Sequence, residues 1–249
     1  MKNKKNIYFL SDAHLGAPSN LPSIEREKLL VKWLYEIAND AAEIYFLGDI
    51  FDFWFEYKRV VPRGFTRFLG TVALLSDKGI PIHFFTGNHD LWIDDYLPKE
   101  TGVIVHRNPI KILIKDKKFF IAHGDGLGNF DKNYKLLKKV FLCKPCIWFF
   151  KRLHPNFAIC LAHKWSTSSR QKHKLPKQPD YENEWLVKFA QETLQTEHFD
   201  FFIFGHRHIP FQFQLNSKSK ITNLGDWLIN FSYAVFDGND LHLKKFKIE

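Results

Sequence analysis

Five short apolar runs in this 249-residue chain each end in residues of the kind that bind cations. Ile44-Tyr-Phe-Leu47 runs into Gly48-Asp49-Ile-Phe-Asp52. Ile7 to Leu10 runs into Ser11-Asp12-Ala-His14, Ile82 to Phe85 into Thr86-Gly87-Asn88-His89-Asp90, Phe119 to Ala122 into His123-Gly-Asp125, and Phe201 to Phe204 into Gly205-His206-Arg-His208. A four-residue apolar run fits a strand covered on both faces, and a glycine such as Gly48 lets the backbone turn tightly and leave an aspartate at the strand's end. Open α/β sheets hold ligands at the carboxyl ends of their strands, so the recurrence predicts that the five ends converge on one site.

The segments between these runs support a parallel arrangement. Leu30, Leu34, Ile37, Ala38 and Ala41 recur at helical spacing, so 23–39 reads as an amphipathic helix crossing back over a sheet. An aromatic loop (Phe53, Trp54, Phe55, Tyr57) leads to a second helix over 65–78, stopped by Gly79, and Trp185 to Leu194 reads as a third crossover helix. The alternation in the tail, 221–248, predicts antiparallel strands closing a second sheet. The expected architecture is a single α/β domain, 1–249, with a helical cap inserted at 131–178.

That cap is set apart by charge. From Lys132 to Pro179 there are twelve Lys and Arg and no Asp or Glu, which leaves 24 of the 36 basic residues against all 27 acidic ones elsewhere. The net charge of +9 therefore belongs to one segment, where Lys and Arg alternate with Leu, Phe, Trp and Ile and are broken by Pro145 and Pro155. Two or three short amphipathic helices that meet an anionic amphiphile or membrane surface are expected there. No run approaches the eighteen or so apolar residues of a membrane span, and the apolar stretch after the basic first residues is too short for a secretory signal, so a cytoplasmic protein is expected. Three cysteines argue against a secreted disulfide framework. Cys143-Lys-Pro-Cys146 has no second pair to complete a zinc site and reads as partly buried small side chains rather than a redox or zinc motif.

In an extended segment residues i and i+2 face the same way, so Asp12 with His14, and His206 with His208, form two grips. With Asp49, Asn88 and His123 they make seven donors, too many for one tetrahedral ion and suited to two ions that share a carboxylate, for which Asp49 is the candidate. Imidazole, carboxylate and amide donors without thiolate suit Mn²⁺, Fe or Zn²⁺. Such a pair serves phosphoester or pyrophosphate hydrolysis. His89, adjacent to a ligand, is better placed to stabilise phosphoryl oxygens or protonate a leaving group, with Asp52 or Asp90 orienting it. His83, inside its strand, reads as structural.

These blocks resemble the calcineurin-like metallophosphoesterases, and the likeness extends across nearly the whole chain. The resemblance implies a four-layer α/β/β/α sandwich in which Asp12, His14 and His208 hold one metal, Asn88, His123 and His206 the other, and Asp49 lies between them. Within that superfamily the Gly48-Asp49-Ile-Phe-Asp52-Phe-Trp54 run, His123-Gly-Asp125-Gly-Leu127 with Asp131 and Tyr134, the basic insertion with Ser168, Ser169 and Arg170, and Leu224-Gly-Asp-Trp227 are similar to the UDP-2,3-diacylglucosamine pyrophosphohydrolases of lipid A biosynthesis. That family uses Mn²⁺ to split its substrate into UMP and the acylated sugar phosphate lipid X. The resemblance implies substrate contacts from Asn88, His89, Asp131, Ser169, Arg170 and His206, and peripheral attachment to the inner membrane. The better-known branch carries arginine where His89 stands and glutamate where Asp52 stands; this chain keeps the general superfamily residues. Two rival readings are a nuclease or nucleotide phosphodiesterase, whose phosphate backbone the basic cap would neutralise, and a non-catalytic interaction module, whose expected signature is missing ligands.

Overall fold

The computed structural model describes residues 5–128, 132–162 and 180–248. The elements run β1 (Asn6–Leu10), α1 (Ser23–Ile37), β2 (Ala41–Leu47), α2 (Thr66–Asp77), β3 (Ile82–Phe85), α3 (Tyr96–Thr101), β4 (Ile104–His106), β5 (Ile110–Ile114) and β6 (Lys117–Ile121). After these come α4 (Lys132–Leu142), α5 (Lys144–Phe150), a helical stretch at 155–162 (α6), α7 (Trp185–Leu194), β7 (Phe201–Phe204), β8 (Phe211–Gln214), β9 (Lys220–Asn223), β10 (Ser232–Phe236) and β11 (Leu241–Lys245).

One sheet has the order β11-β10-β1-β2-β3-β4 and the other β5-β6-β7-β9-β8. Alternation along the strands assigns the layers, because successive side chains leave opposite faces. Tyr8, Leu10, Ile44, Phe46, Ile82 and Phe84 pack under α1 and α2 with Leu30, Trp33, Leu34 and Phe68. Their neighbours Ile7, Phe9, Tyr45, Leu47 and Phe85 meet Phe119, Ile121, Phe201 and Ile203 from the other sheet. Phe120, Phe202 and Phe204 turn outward onto Leu186, Val187 and Ala190 of α7. Three apolar interlayers make four layers, helix on sheet on sheet on helix, as expected. Phe119 sits in the middle one, with ring centroids 5.0 Å from both Phe201 and Phe236, so its truncation to alanine would cost about 3–5 kcal/mol.

Register levels the strand ends. β1, β2 and β3 are parallel, with Leu10 opposite Phe46 and Leu47 opposite Phe85, so the loops at Asp12, Asp49 and Asn88 emerge side by side. In the second sheet Ile121 lies opposite Ile203, which brings His123 beside Gly205 and His206. α2 is started from outside: the buried Glu27 carboxylate on α1 accepts the Arg67 and Phe68 amides at 2.9 and 3.0 Å, satisfying N–H groups that a helix's first turn leaves orphaned.

The tail corrects the expectation that it closes a second sheet. β9 joins the second sheet parallel to β7, but β10 and β11 cross to the first, where β10 pairs antiparallel with β1. The cause is a turn after β9 in which one oxygen of the buried Asp226 accepts the amides of Leu228, Ile229 and Asn230 at 2.7–3.0 Å, redirecting the chain to the open edge of β1. Helix α3 was not anticipated from the sequence.

Candidate metal centre

The backbone at the strand ends is held in an unusual conformation. Among the described residues eight non-glycine residues have positive φ, and five of them are Asp12, His14, Asp49, His206 and His208, at φ 40–66°. L-residues pay for this region sterically, so such a cluster persists only where the surroundings over-determine it, as at functional sites. Glycines make the room. A side chain on Gly87 would strike the Asp49 carboxylate, and one on Gly205 would strike that of Asp12.

Each carboxylate has one oxygen occupied and the other presented. Asp49 Oδ1 accepts the His89 amide at 2.8 Å, while Oδ2 lies 3.7 Å from His14 Nε2 and 3.4 Å from His123 Nε2. Asp12 Oδ2 accepts the His206 amide at 2.8 Å, while Oδ1 lies 3.3 Å from His208 Nε2 and 3.8 Å from His14 Nε2. On the other side of Asp49, the Asn88 side-chain oxygen lies 3.2 Å from His123 Nε2 and 2.9 Å from His206 Nδ1. Two nests of donors result, Asp12, His14 and His208 on one side and Asn88, His123 and His206 on the other, with Asp49 Oδ2 turned to both. Asp12, His14 and His208, and likewise Asp49, His123 and His206, place their ligand atoms within 4.8 Å of one another.

The charges fit a cation. Asp12 Oδ1 is buried without a hydrogen-bond partner among the described residues, a costly state for a carboxylate that a cation would relieve. Burial alone would raise Asp49 and depress His123. Their mutual attraction overrides it, holding the Asp49 carboxyl well below the usual range and lifting His123 to about 10. His206 and His89, for which burial wins, are pushed down to about 3 and about 4, the neutral form a ligand or base requires.

Groups behind the donors set their orientation. His123 donates from Nδ1 to the Leu47 carbonyl at 2.6 Å, which assigns the lone pair to Nε2. Asp52 Oδ1 is 3.5 Å from His14 Nδ1, and Asp226 Oδ2 is 3.7 Å from His208 Nδ1. The fully buried Arg26 donates to the carbonyls of His14 and Ala17, both at 2.9 Å, and pins the loop after β1. Sequence reasoning quoted Asp226 within the Leu224-Gly-Asp-Trp227 run without giving it a role, and missed Arg26. For Asp226 a signal existed, a third Gly-Asp pair, after the apolar end of a strand as at Gly48-Asp49; a helical arginine carries none.

Asp90 does something other than orient His89. Its carboxylate accepts the amides of Gly87 at 2.7 Å, Asp49 at 3.3 Å and Ile50 at 3.0 Å, tying the loops after β2 and β3 together. Burial and the charge of Asp49 push it up to about 7. His89 is oriented by Asp52, whose carbonyl accepts the Nδ1 proton at 3.0 Å. His83 is remote from the centre, stacked on Tyr45 with its Nδ1 2.8 Å from His106 Nε2, in keeping with its structural reading.

His89, Asn88 and Asp52 form the polar floor of a cavity of about 330 Å³ whose walls are Phe53, Trp92, Leu137, Val140, Phe141, Ile147, Phe150, Leu161 and Ala162. The helices α4 to α6 roof it. They are seated by Trp92, which stacks on Phe150 and donates to the Phe141 carbonyl at 3.0 Å, and by Phe55, 4.6 Å from Phe150 between ring centroids. Asp125 anchors α4 rather than a metal, accepting from Tyr134 at 2.7 Å and from Lys138. Cys143 caps α5, accepting the Cys146 amide at 3.3 Å, and Cys146 is exposed rather than buried. Asp131, Ser168, Ser169 and Arg170 lie outside the described residues.

A family model for calcineurin-like phosphoesterases matches residues 5–210. Among curated proteins, a UDP-2,3-diacylglucosamine hydrolase of Porphyromonas gingivalis is 42% identical over 255 residues, covering 97% of each chain. One from Neisseria meningitidis serogroup B is 30% identical over 90% of each chain, and one from Haemophilus influenzae is 28% identical over 92% of this chain and 93% of its own. The seven strand-end donors, held in two nests about one aspartate, therefore have their family, and this chain belongs to the calcineurin-like phosphoesterases.

Proposed function

We propose that this protein hydrolyses the pyrophosphate of UDP-2,3-diacylglucosamine to UMP and 2,3-diacylglucosamine 1-phosphate, using two divalent cations, taken as Mn²⁺ from the family resemblance, which the donors accommodate. The observation that carries this reading is the apolar cavity that opens directly onto the metal centre, with His89 and Asn88 as its floor. A nuclease would need an open basic groove with stacking faces at that point, and the relatives of this length bear the name of the lipid-sugar enzyme.

Asp12, His14 and His208 would hold one cation, Asn88, His123 and His206 the other, and Asp49 both. When bound, such a pair lowers the pKa of water and offsets charge on a phosphoryl group. The chain's own groups do the rest. Asn88 turns its side-chain oxygen to the two histidines and keeps its amide N–H groups for a phosphoryl oxygen. His89 donates from Nδ1 to the Asp52 carbonyl, so Nε2 is the atom that meets substrate. An anionic diphosphate beside that ring favours its protonated form, making it a donor to the oxygens that gain charge. The roof of apolar side chains keeps water from the acyl end.

Residues 1–249 are read as one domain, with 131–178 as the cap. Asp131, Ser169 and Arg170 are proposed as further substrate contacts. On the outside of the cap, Leu136, Trp148, Phe149 and Phe157 are exposed beside Lys139, Lys144 and Arg152. Among the described residues no helix is long and apolar enough to cross a membrane. Apolar side chains among lysines and arginines fit peripheral docking on the anionic cytoplasmic face of the inner membrane, where the substrate resides. The deciding experiment is incubation with UDP-2,3-diacylglucosamine and Mn²⁺. Release of UMP is expected, and release of nucleotides from single-stranded DNA with no UMP would replace this reading with the nuclease.

A further inference from the structure

A second cavity, of about 550 Å³, lies on the other side of Phe53, a side chain that lines both. It is bounded by Gly16, Ser23, Arg63 and Phe65 from the core and by Asn156, Ile159 and Cys160 from α6. We propose that it receives the nucleoside end of the substrate, the uracil ring and its ribose; this rests on the pyrophosphatase reading above.

Position is the first argument. Gly16 is two residues from His14, so the cavity wall begins within about 7 Å of a metal donor along the chain. A substrate whose diphosphate occupies the metal centre has two ends of opposite chemistry. The apolar cavity suits the acylated sugar, and the remaining end must leave by another route. This cavity, beside the loop that carries His14, provides one, and its volume falls in the range of ordinary small-ligand pockets.

Chemistry is the second argument. Its wall offers two aromatic rings, Phe53 and Phe65, one guanidinium and one primary amide, a set that suits a flat polar heterocycle attached to a phosphate, while the Glu27 carboxylate there is taken up by the Arg67 and Phe68 amides. Phe65 is half-buried and supplies the ring face. The amide of Asn156, exposed on α6, carries a donor and an acceptor side by side, and the uracil edge presents a carbonyl and an N–H in the same way. Arg63 is exposed at the rim, where the phosphate would pass.

Backbone strain is the third. Phe65 holds φ 60° and Gly16 opposite it φ 101°, and a Cβ on Gly16 would approach the Phe65 ring to 3.3 Å. Phe65 is one of only three described non-glycine residues with positive φ that are not proposed metal donors. An aromatic residue in this region is costly, and strain of this kind gathers at ligand clamps. Phe51 packs against the ring at 5.1 Å between centroids, with an interplanar angle of 49°, and the ring lines the cavity.

The test is calorimetric titration of the Mn²⁺-loaded full-length protein with UMP. Asn156→Ala and Phe65→Leu are each expected to weaken UMP about tenfold while leaving the affinity for 2,3-diacylglucosamine 1-phosphate within about twofold. Leu161→Ala, in the apolar cavity, should do the reverse. Asn156 lies on an exposed helical surface, so its variant keeps the test valid if Phe65→Leu is unstable. Unchanged UMP affinity in Asn156→Ala and in any folded Phe65→Leu overturns the proposal, as does a loss that falls on the lipid product instead, which would assign this cavity to a second acyl chain. If the wild-type protein releases UMP from UDP-2,3-diacylglucosamine and yet these variants bind UMP normally, only the subsite falls; if no UMP is released, the pyrophosphatase reading falls with it.

Discussion

The metal centre and the cap that roofs it are built by opposite means. The donors sit on loops that leave buried parallel strands, in left-handed backbone given room by Gly48, Gly87 and Gly205 and secured by the carboxylates of Asp90 and Asp226, which accept several amides each. The cap is made of short helices, and α5 buries none of its residues. It touches the core through a few aromatic rings and the Asp125 anchor. The first region has no freedom to adjust, which suits chemistry that must hold two cations at fixed spacing. The second is joined to the centre by fewer contacts and, in the reading proposed above, covers the acyl end of the substrate. Damage to the first should therefore be large and should fall on catalysis; damage to the second should be small and should fall on substrate choice.

The sharpest way to break this contrast is Asp49→Ala. With the one oxygen that faces both nests removed, metal content and turnover should fall together, turnover by at least about 10³-fold; metal analysis alongside kcat checks it. His89→Ala comes next and separates chemistry from assembly. In the proposed reading its ring meets substrate and is not a metal donor, although its ligand atom lies within 4.8 Å of those of His14 and Asp49, so kcat should drop about 10²–10⁴-fold with the metals retained. If the metals leave, His89 is a ligand and the role given to it is wrong.

Asp226→Asn probes the support behind the ligands. It leaves His208 in place but weakens its orientation, so metal affinity should fall about 10–100-fold, as read by competition with a chelator, and kcat at saturating metal should fall less. Acid has a related effect with a definite sign. His123 stands at about 10 without a cation, so at neutral pH it carries a proton that must leave when the cation binds. Metal affinity should then weaken by about tenfold for each unit the pH falls between about 9 and 7, with proton release visible by calorimetry in buffers of different ionisation enthalpy. Smallest of all, Trp148→Ala or Phe157→Ala in the cap should reduce vesicle binding and use of the acylated substrate about two- to fivefold and leave a small chromogenic phosphodiester unaffected. Equal loss on both substrates would show that the cap belongs to the rigid centre after all.

The same division explains what could be read from the residues alone. The centre was legible because it obeys short-range rules: a buried parallel strand needs a continuous apolar run, and a tight turn after it needs glycine, so Leu47-Gly48-Asp49 and Phe204-Gly205-His206 announce themselves. What escaped depends on long-range choices. The alternation in Ser232–Phe236 says strand without saying which sheet, and the choice follows from the Asp226 turn and the vacant edge of β1. Arg26 drew no reading from the sequence, yet it is fully buried and donates to the carbonyls of His14 and Ala17. α3 has only six residues with Pro98 among them, too few for a period to show. Asp90 and Asp52 were both recognisable as supports for the donors, but which one steadies His89 is decided by loop geometry that no spacing reveals.

In the proposed reading Asp49 would hold both of two cations, and metal stoichiometry tests this most directly. Purified full-length protein dialysed against Mn²⁺ should carry about two equivalents per chain, and Asp49→Ala should retain less than one. A wild-type protein that saturates at a single equivalent, or an Asp49→Ala variant that still holds two, would contradict it.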